Sequence, residues 1–215
     1  MRIIPATNAD TIEKFRTQLH RFSSFLPHDA TIHIDLCDGK FTSHKTLLDL
    51  SLIAPEIKKT PFRFEGHFMV NNPELLIPNF LSQAISRALI PVEVFHHYEK
   101  IFEWEEKYAA SLAFSARALK SDELLLYALK KSHLRDCLIL AVPPGPAGQT
   151  FDPHALQSVT KIKNHFPDCR ITVDGGVTPI LIPLLKDLGV DAVVLHSTFI
   201  TSGDPSALFF NLSNI

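Results

Sequence analysis

A closed (β/α)8 barrel is the fold class this sequence predicts, and three observations predict it. Short β-rich runs alternate with segments of helical periodicity along the whole chain, the pattern of a parallel sheet covered by helices. The 215 residues show no linker, low-complexity stretch or composition break, so 1–215 reads as one domain of the length an α/β barrel needs. No G-x-G-x-x-G follows the first run, which counts against the competing open, doubly wound sheet.

The elements follow in order. RIIP (2–5) is the first strand, and residues 8–25 then place Ile12, Phe15, Leu19 and Phe22 on one helical face. TIHIDL (31–36) alternates apolar with polar and runs out at Asp38-Gly39, a turn pair. After a helix around PEIKK, FRFEGHFMV (62–70) alternates again. Asn72-Pro73-Glu74 then starts a helix with a cap and a proline at its first position. IPVEVF (90–95) and ASLAFSA (110–116) are the fourth and fifth strands, and DCLILAV (136–142) is apolar throughout, as in a strand covered on both faces. Asp152-Pro153 opens a helix carrying Leu156, Val159, Ile162 and Phe166. CRITVD (169–174) is the seventh strand. Thr178-Pro179 begins a helix that Gly189 ends, and DAVVLH (191–196) and Asp204-Pro205 complete the set.

Several function classes drop out on composition. A net charge of −2 offers no basic excess to nucleic acid or to an anionic membrane. The N-terminus reaches Asn8 and Asp10 before any long apolar run, unlike a secretory leader. No stretch approaches the roughly 20 apolar residues of a membrane span. Cys37, Cys137 and Cys169 are odd in number and lack a CxxC, which fits reduced thiols in the cytoplasm.

The chemistry sits where strands end. Strand side chains alternate, so His33, Asp35 and Cys37 share a face, as do Glu65, His67 and Met69. Asp174 tips the seventh strand before Gly175-Gly176. Each feature alone has an ordinary reading: a satisfied core histidine, a surface carboxylate, a turn. Together they bring His33, Asp35, His67 and Asp174 to the rim where barrels keep their active groups. Two imidazoles and two carboxylates suit one divalent ion, Zn²⁺, Mn²⁺, Fe²⁺ or Co²⁺. The loops AVPPGPAGQTF (141–151), DGGV (174–177) and HST (196–198) follow the last three strands. There a barrel commonly holds a phosphate on backbone N–H groups.

Taken in order, HIDLCDGKF, HFMV, VPPGPAGQTF, VDGGV and HSTFITSGDP resemble the motifs of the ribulose-phosphate 3-epimerase family, across nearly the whole chain. The resemblance implies a TIM barrel of the ribulose-phosphate-binding type. It also implies a metal-dependent isomerase of pentose-phosphate carbohydrate metabolism that inverts C3 of a ketopentose 5-phosphate. Its metal ligands fall on His33, Asp35, His67 and Asp174, and its acid/base pair on Asp35 and Asp174. Substrate and phosphate contacts fall on Ala147, Gly148, Gln149, Thr150, Gly175, Gly176, His196 and Ser197, with Cys37, Met69 and His96 as further lining residues. The implied partner is a small sugar phosphate, and the implied assembly is a homo-oligomer.

Departures from the family pattern are specific. Cys37 replaces a methionine, and it also stands where related lyase and decarboxylase barrels carry a lysine. Ala147 and His196 replace glycines of the phosphate loops, and Pro5 replaces a serine near the first strand's end. FSARAL (114–119) replaces a Pro-Gly-rich fifth-strand signature, and Arg117 within it reads as a new anion contact or, in preference, a solvated side chain. These changes leave open a different ketose phosphate, such as a hexulose 6-phosphate, and a barrel that binds metal or sugar phosphate without turnover.

Overall fold

Alternation at period two decides what each strand shows to either side, and the barrel is built on it. The computed structural model describes residues 1–215. Its strands are β1 (Arg2–Thr7), β2 (Thr31–Cys37), β3 (Arg63–Met69), β4 (Arg87–Pro91), β5 (Ser111–Arg117), β6 (Asp136–Leu140), β7 (Arg170–Asp174) and β8 (Ala192–Leu195). All pair in parallel, in chain order, and β1 pairs with β8 to close the barrel. The covering helices are α1 (Ile12–Ser23), α2 (Leu50–Ile57), α3 (Pro73–Gln83), α4 (Glu99–Tyr108), α5 (Asp122–Lys131), α6 (His154–His165) and α7 (Ile182–Asp187). A short α8 (Ser197–Ile200) and α9 (Pro205–Ser213) follow β8.

The outward face of β2 is Ile32, Ile34 and Leu36, and that of β3 includes Phe64 and Phe68. All join one core cluster of 49 buried residues between barrel and helices, with Phe15, Leu19 and Phe22 of α1 packed into it. The inward cluster has 11 residues, among them Ile4, Ala6, Cys37, Met69, Leu89, Ala113 and Leu138. The barrel interior is therefore a thin apolar layer, and the rest of its lumen is polar. His33, Glu65, His67, Ser115 and Thr172 are buried there, where such barrels usually stack branched apolar side chains.

Capping chemistry is partly as expected. Asp204 accepts from the Ala207 N–H and Asp152 from the His154 N–H. Asn72 and Thr178 make no side-chain cap, and the following proline alone marks the start. Gly189, at φ +80°, ends α7 with its N–H on the Lys186 carbonyl. The Asp38 carboxylate takes the N–H groups of Lys40 and Phe41, which makes the turn out of β2.

The fourth strand is a correction. It spans Arg87–Pro91, not 90–95, and residues 92–94 form a turn in which Val94 and Phe95 donate to the Pro91 carbonyl. Pro91 has no N–H to offer β3, and pairing with that strand stops at Leu89, whereas the Val92 N–H still reaches the Ser115 carbonyl of β5 before the turn. The register of Glu65 against Arg87 brings a charged residue into the strand that local pattern excludes. Arg117 is a second correction: it is half-buried and faces Asp152 at 3.5 Å.

Candidate active site

Register assembles the centre. Across β2 and β3, His33 lies beside Glu65, Asp35 beside His67 and Cys37 beside Met69. Asp174, the last residue of β7, reaches the same point. Donor atoms of His33, Asp35, His67 and Asp174 all lie within 4.8 Å of one another. His33 Nε2 is 3.3 Å from Asp35 Oδ1 and 3.9 Å from Asp174 Oδ2, and His67 Nδ1 is 3.7 and 3.8 Å from the same two oxygens.

His33 Nε2, Asp35 Oδ1 and His67 Nδ1 are buried and have no hydrogen-bond partner. Each such orphan costs roughly 1–3 kcal/mol, and three converging on one point form a set that a divalent cation satisfies at once. Two nitrogens and two carboxylates match the preferences of Zn²⁺, Mn²⁺, Fe²⁺ and Co²⁺. The residues present fit a metal.

The surroundings fix these groups. The Glu65 carboxylate accepts from His33 Nδ1–H at 2.8 Å, so Nε2 faces the centre and offers its lone pair there once deprotonated. Asn8 donates from Nδ2 to Asp35 Oδ2 at 2.8 Å, and His44 Nε2 donates to Asn8 Oδ1 at 2.8 Å. The Thr46 hydroxyl donates to the Asp35 carbonyl and accepts the Cys37 N–H. One carboxylate oxygen of Asp35 is thereby held and the other is free.

The two aspartates are pushed apart electrostatically. Burial raises the carboxyl of Asp35, but the neighbouring imidazoles of His33 and His67 outweigh it and hold Asp35 far below the usual range. Burial dominates at Asp174 and, with the neighbouring Asp35 charge, pushes it up to about 6. Burial disfavours a charged His33, yet the neighbouring carboxylates of Asp35 and Glu65 raise it to about 10. Glu65 is driven up by burial and down, further, by His33 and Arg87, to about 2.

These shifts have a signed consequence for the metal-free protein. His33, raised from 6.5 to about 10, contributes stability that is complete below pH 6.5 and lost as the pH rises through 10. Glu65, lowered from 4.5 to about 2, contributes stability that is complete above pH 4.5 and lost on acidification. Thermal midpoints taken in chelator should fall steadily between pH 6.5 and 10; a flat profile counts against a protonated His33. A metal must displace that proton, so its affinity should tighten over the same range.

Above this floor lies a cavity of about 500 Å³. Asp35, Asp174 and Met69 line it from below. The loops after β6, β7 and β8 line it from the side with Ala147, Gly148, Gln149, Thr150, Gly175, Gly176, His196 and Ser197. The N–H groups of Gly148, Gly175 and Gly176 donate to no protein acceptor. Ala147 is absent from the positive-φ positions, which Gly148 takes at +83°, so the alanine carries no strain. Gln149 is tied to the Pro143 and Pro146 carbonyls. His196 has Nε2 3.4 Å from Gln18 and an unpartnered buried Nδ1, and burial lowers its pKa.

Two expected lining residues lie elsewhere. His96 is exposed in the loop after β4 and does not line the cavity, because β4 ends earlier than its sequence suggests. Cys37 is fully buried in the inner apolar cluster beside Met69 and does not line the cavity. Sequence reasoning missed Asn8 as a partner of Asp35. The available signal was its place just past the end of β1, on the functional rim.

Comparison with known proteins now decides the family. Residues 8–200 match the family described as ribulose-phosphate 3 epimerase. The chain belongs to the ribulose-phosphate 3-epimerase family. It is an isomerase of the epimerase type. A ribulose-phosphate 3-epimerase of Chlamydia pneumoniae is 29% identical over 177 residues, covering 77% of this chain and 74% of the relative. The cytoplasmic isoform from Oryza sativa subsp. japonica is 24% identical, covering 81% and 77%. Among solved structures, a 3-hexulose-6-phosphate synthase from Salmonella typhimurium superposes on this epimerase-family chain with a TM-score of 0.73. The identity is 12%, with 100% of this chain and 97% of the other covered; that likeness is one of fold. No helix is long and apolar enough to cross a membrane.

Proposed function

We propose that this chain is a divalent-metal-dependent ketose-phosphate 3-epimerase that interconverts D-ribulose 5-phosphate and D-xylulose 5-phosphate. One observation carries the reading: two carboxylates, Asp35 and Asp174, with opposite protonation tendencies, lie beside two imidazoles at the floor of a cavity of about 500 Å³. Inversion next to a carbonyl removes a proton from one face of carbon and returns one to the other. Asp35, held ionised, acts as base, and Asp174, inclined to keep its proton, acts as acid. The reverse reaction exchanges the roles. The carboxylates enter from β2 and β7, so a flat enediolate lying across the floor meets one on each face.

His33, Asp35, His67 and Asp174 would hold the metal, and a bound divalent ion supplies Lewis-acid stabilisation of oxyanion charge. Asn8 donates to Oδ2 of Asp35 and so fixes the rotation of the carboxylate, with Oδ1 turned to the metal position. The free N–H groups of Gly148 and Gly176 would receive the phosphate, with Ser197 and the Nδ1 side of His196 closing the cradle. The small apolar residues of the floor, Ala6 and Val194 among them, exclude water from the reacting carbon. Likeness to a relative described as a cytoplasmic isoform supports a cytoplasmic location; the homo-oligomer that the family resemblance implies is checked by light scattering.

The test is turnover of D-ribulose 5-phosphate in D₂O with Mn²⁺, Fe²⁺, Co²⁺ or Zn²⁺ added to chelated protein. Deuterium should enter C3 of both epimers, and only with the ion present. Exchange confined to a hexulose 6-phosphate would redirect the substrate. Tight binding with no exchange for any ketose phosphate would make the barrel a binding module.

A further inference from the structure

The polar lumen beneath the metal centre contains an ordered ladder of charges. His33 Nδ1 donates to Glu65 Oε1 at 2.8 Å, and Arg87 donates through Nη1 to Glu65 Oε2. Through Nη2, Arg87 also donates to Asp136 Oδ1 at 2.7 Å, and Arg170 donates to Asp136 Oδ2 at 3.0 Å. The side chains of Glu65, Asp136 and Arg87 are 1%, 8% and 11% exposed, whereas Arg170 is 62% exposed. The ladder thus runs from solvent at the N-terminal mouth of the barrel to a ligand atom at the other end.

We propose that Arg87 is a positioning residue for the metal centre, holding Glu65 so that the Glu65 carboxylate fixes the tautomer and orientation of His33. The proposal rests on reading His33 as a metal ligand. Three steps of the ladder join residues already in register: His33 with Glu65, Glu65 with Arg87, and Asp136 with Arg170. The remaining step, Arg87 to Asp136, passes over β5, where Arg87 is in register with Ser111, whose side chain is small enough to leave room.

Stability alone does not account for this ladder. Buried ion pairs are often replaceable by apolar residues of similar volume with no loss of stability, and barrel interiors normally use such residues. A metal-bound imidazole, by contrast, needs an acceptor on its second nitrogen, held in one place. Glu65 has two oxygens and gives one to His33, so its rotamer depends on what holds the other. The planar fork of Arg87 spans two carboxylates at fixed spacing, which a lysine ammonium does not do.

Co²⁺ binding tests the idea, read by the visible spectrum and by chelator competition in the wild type, Arg87→Met, Glu65→Gln and the double variant. Arg87→Met should weaken Co²⁺ binding about tenfold, as loss of an outer-sphere partner does. It should also lower the thermal midpoint, because Glu65 is left buried without its cation. In Glu65→Gln/Arg87→Met no buried charge lacks a partner, so the midpoint should recover. Co²⁺ affinity should stay about tenfold weak and the spectrum altered, since the carboxylate that orients His33 is gone. Recovery of wild-type affinity together with stability would make the ladder structural and overturn the positioning role. If wild-type protein takes up no Co²⁺, the metal reading fails and the positioning role falls with it.

Discussion

Asp35→Asn and Asp174→Asn are each expected to lower kcat for epimerisation by about 10³-fold, while each spares one half of the chemistry. Each carboxylate serves as base for one epimer and as acid for the other. Removing one therefore blocks net inversion in both directions but leaves proton removal intact for the epimer that the other serves. In D₂O, one variant should wash deuterium into C3 of ribulose 5-phosphate without forming xylulose 5-phosphate, and the other should show the converse. Asparagine keeps an oxygen donor toward the centre, so metal content measured alongside separates loss of proton transfer from loss of the ion. Variants that keep the metal yet lose exchange from both epimers equally would rule out a division of labour between Asp35 and Asp174.

Gly176→Ala should be the most damaging change outside the floor. Gly176 has φ +65°, and a Cβ there would sit 2.3 Å from the Phe151 nitrogen, 2.7 Å from its Cα and 2.8 Å from the Gln149 carbonyl oxygen. All three are backbone atoms, which do not swing aside as a side-chain tip does. The loops after β6 and β7 are pressed backbone to backbone, and the proposed phosphate cradle depends on that approach. Left-handed strain and overlap together cost about 3 kcal/mol, and a loop displaced by the methyl group should raise KM for the sugar phosphate about tenfold or more. Gly148→Ala is the control: its φ is +83° but no atom lies within 4 Å of an added Cβ, so about 1 kcal/mol of strain is all that is expected. Equal losses in the two variants, by thermal midpoint and KM, would refute close loop packing as the cause.

Legibility differs sharply between the two ends of the barrel. At the C-terminal rim, alternation in TIHIDL and FRFEGHFMV already puts His33 with Asp35 and Glu65 with His67, because the two-residue repeat of a strand is local. Glycine pairs after β6 and β7 mark the cradle for the same reason. Deeper in the lumen, Glu65, Arg87 and Asp136 are separated by 22 and 49 residues, and nothing near any of them announces a partner. Asn8 was equally hidden, since its bond to Asp35 crosses 27 residues. The fourth strand was misplaced because apolar IPVEVF looks more strand-like than SRALIP, and pairing with β3 overrode that preference.

By itself, then, the amino-acid order determined the barrel, the four converging donors and the glycine-bearing loops at the rim, all of which follow from side-chain alternation and turn chemistry over a few residues. Tertiary structure alone decided that Cys37 is buried in the inner apolar cluster, that His96 stands outside, that Asn8 restrains Asp35, and that a charge ladder reaches His33. Those outcomes depend on strand register and barrel closure, which place side chains far apart in the chain within hydrogen-bonding distance, and no local pattern encodes that meeting.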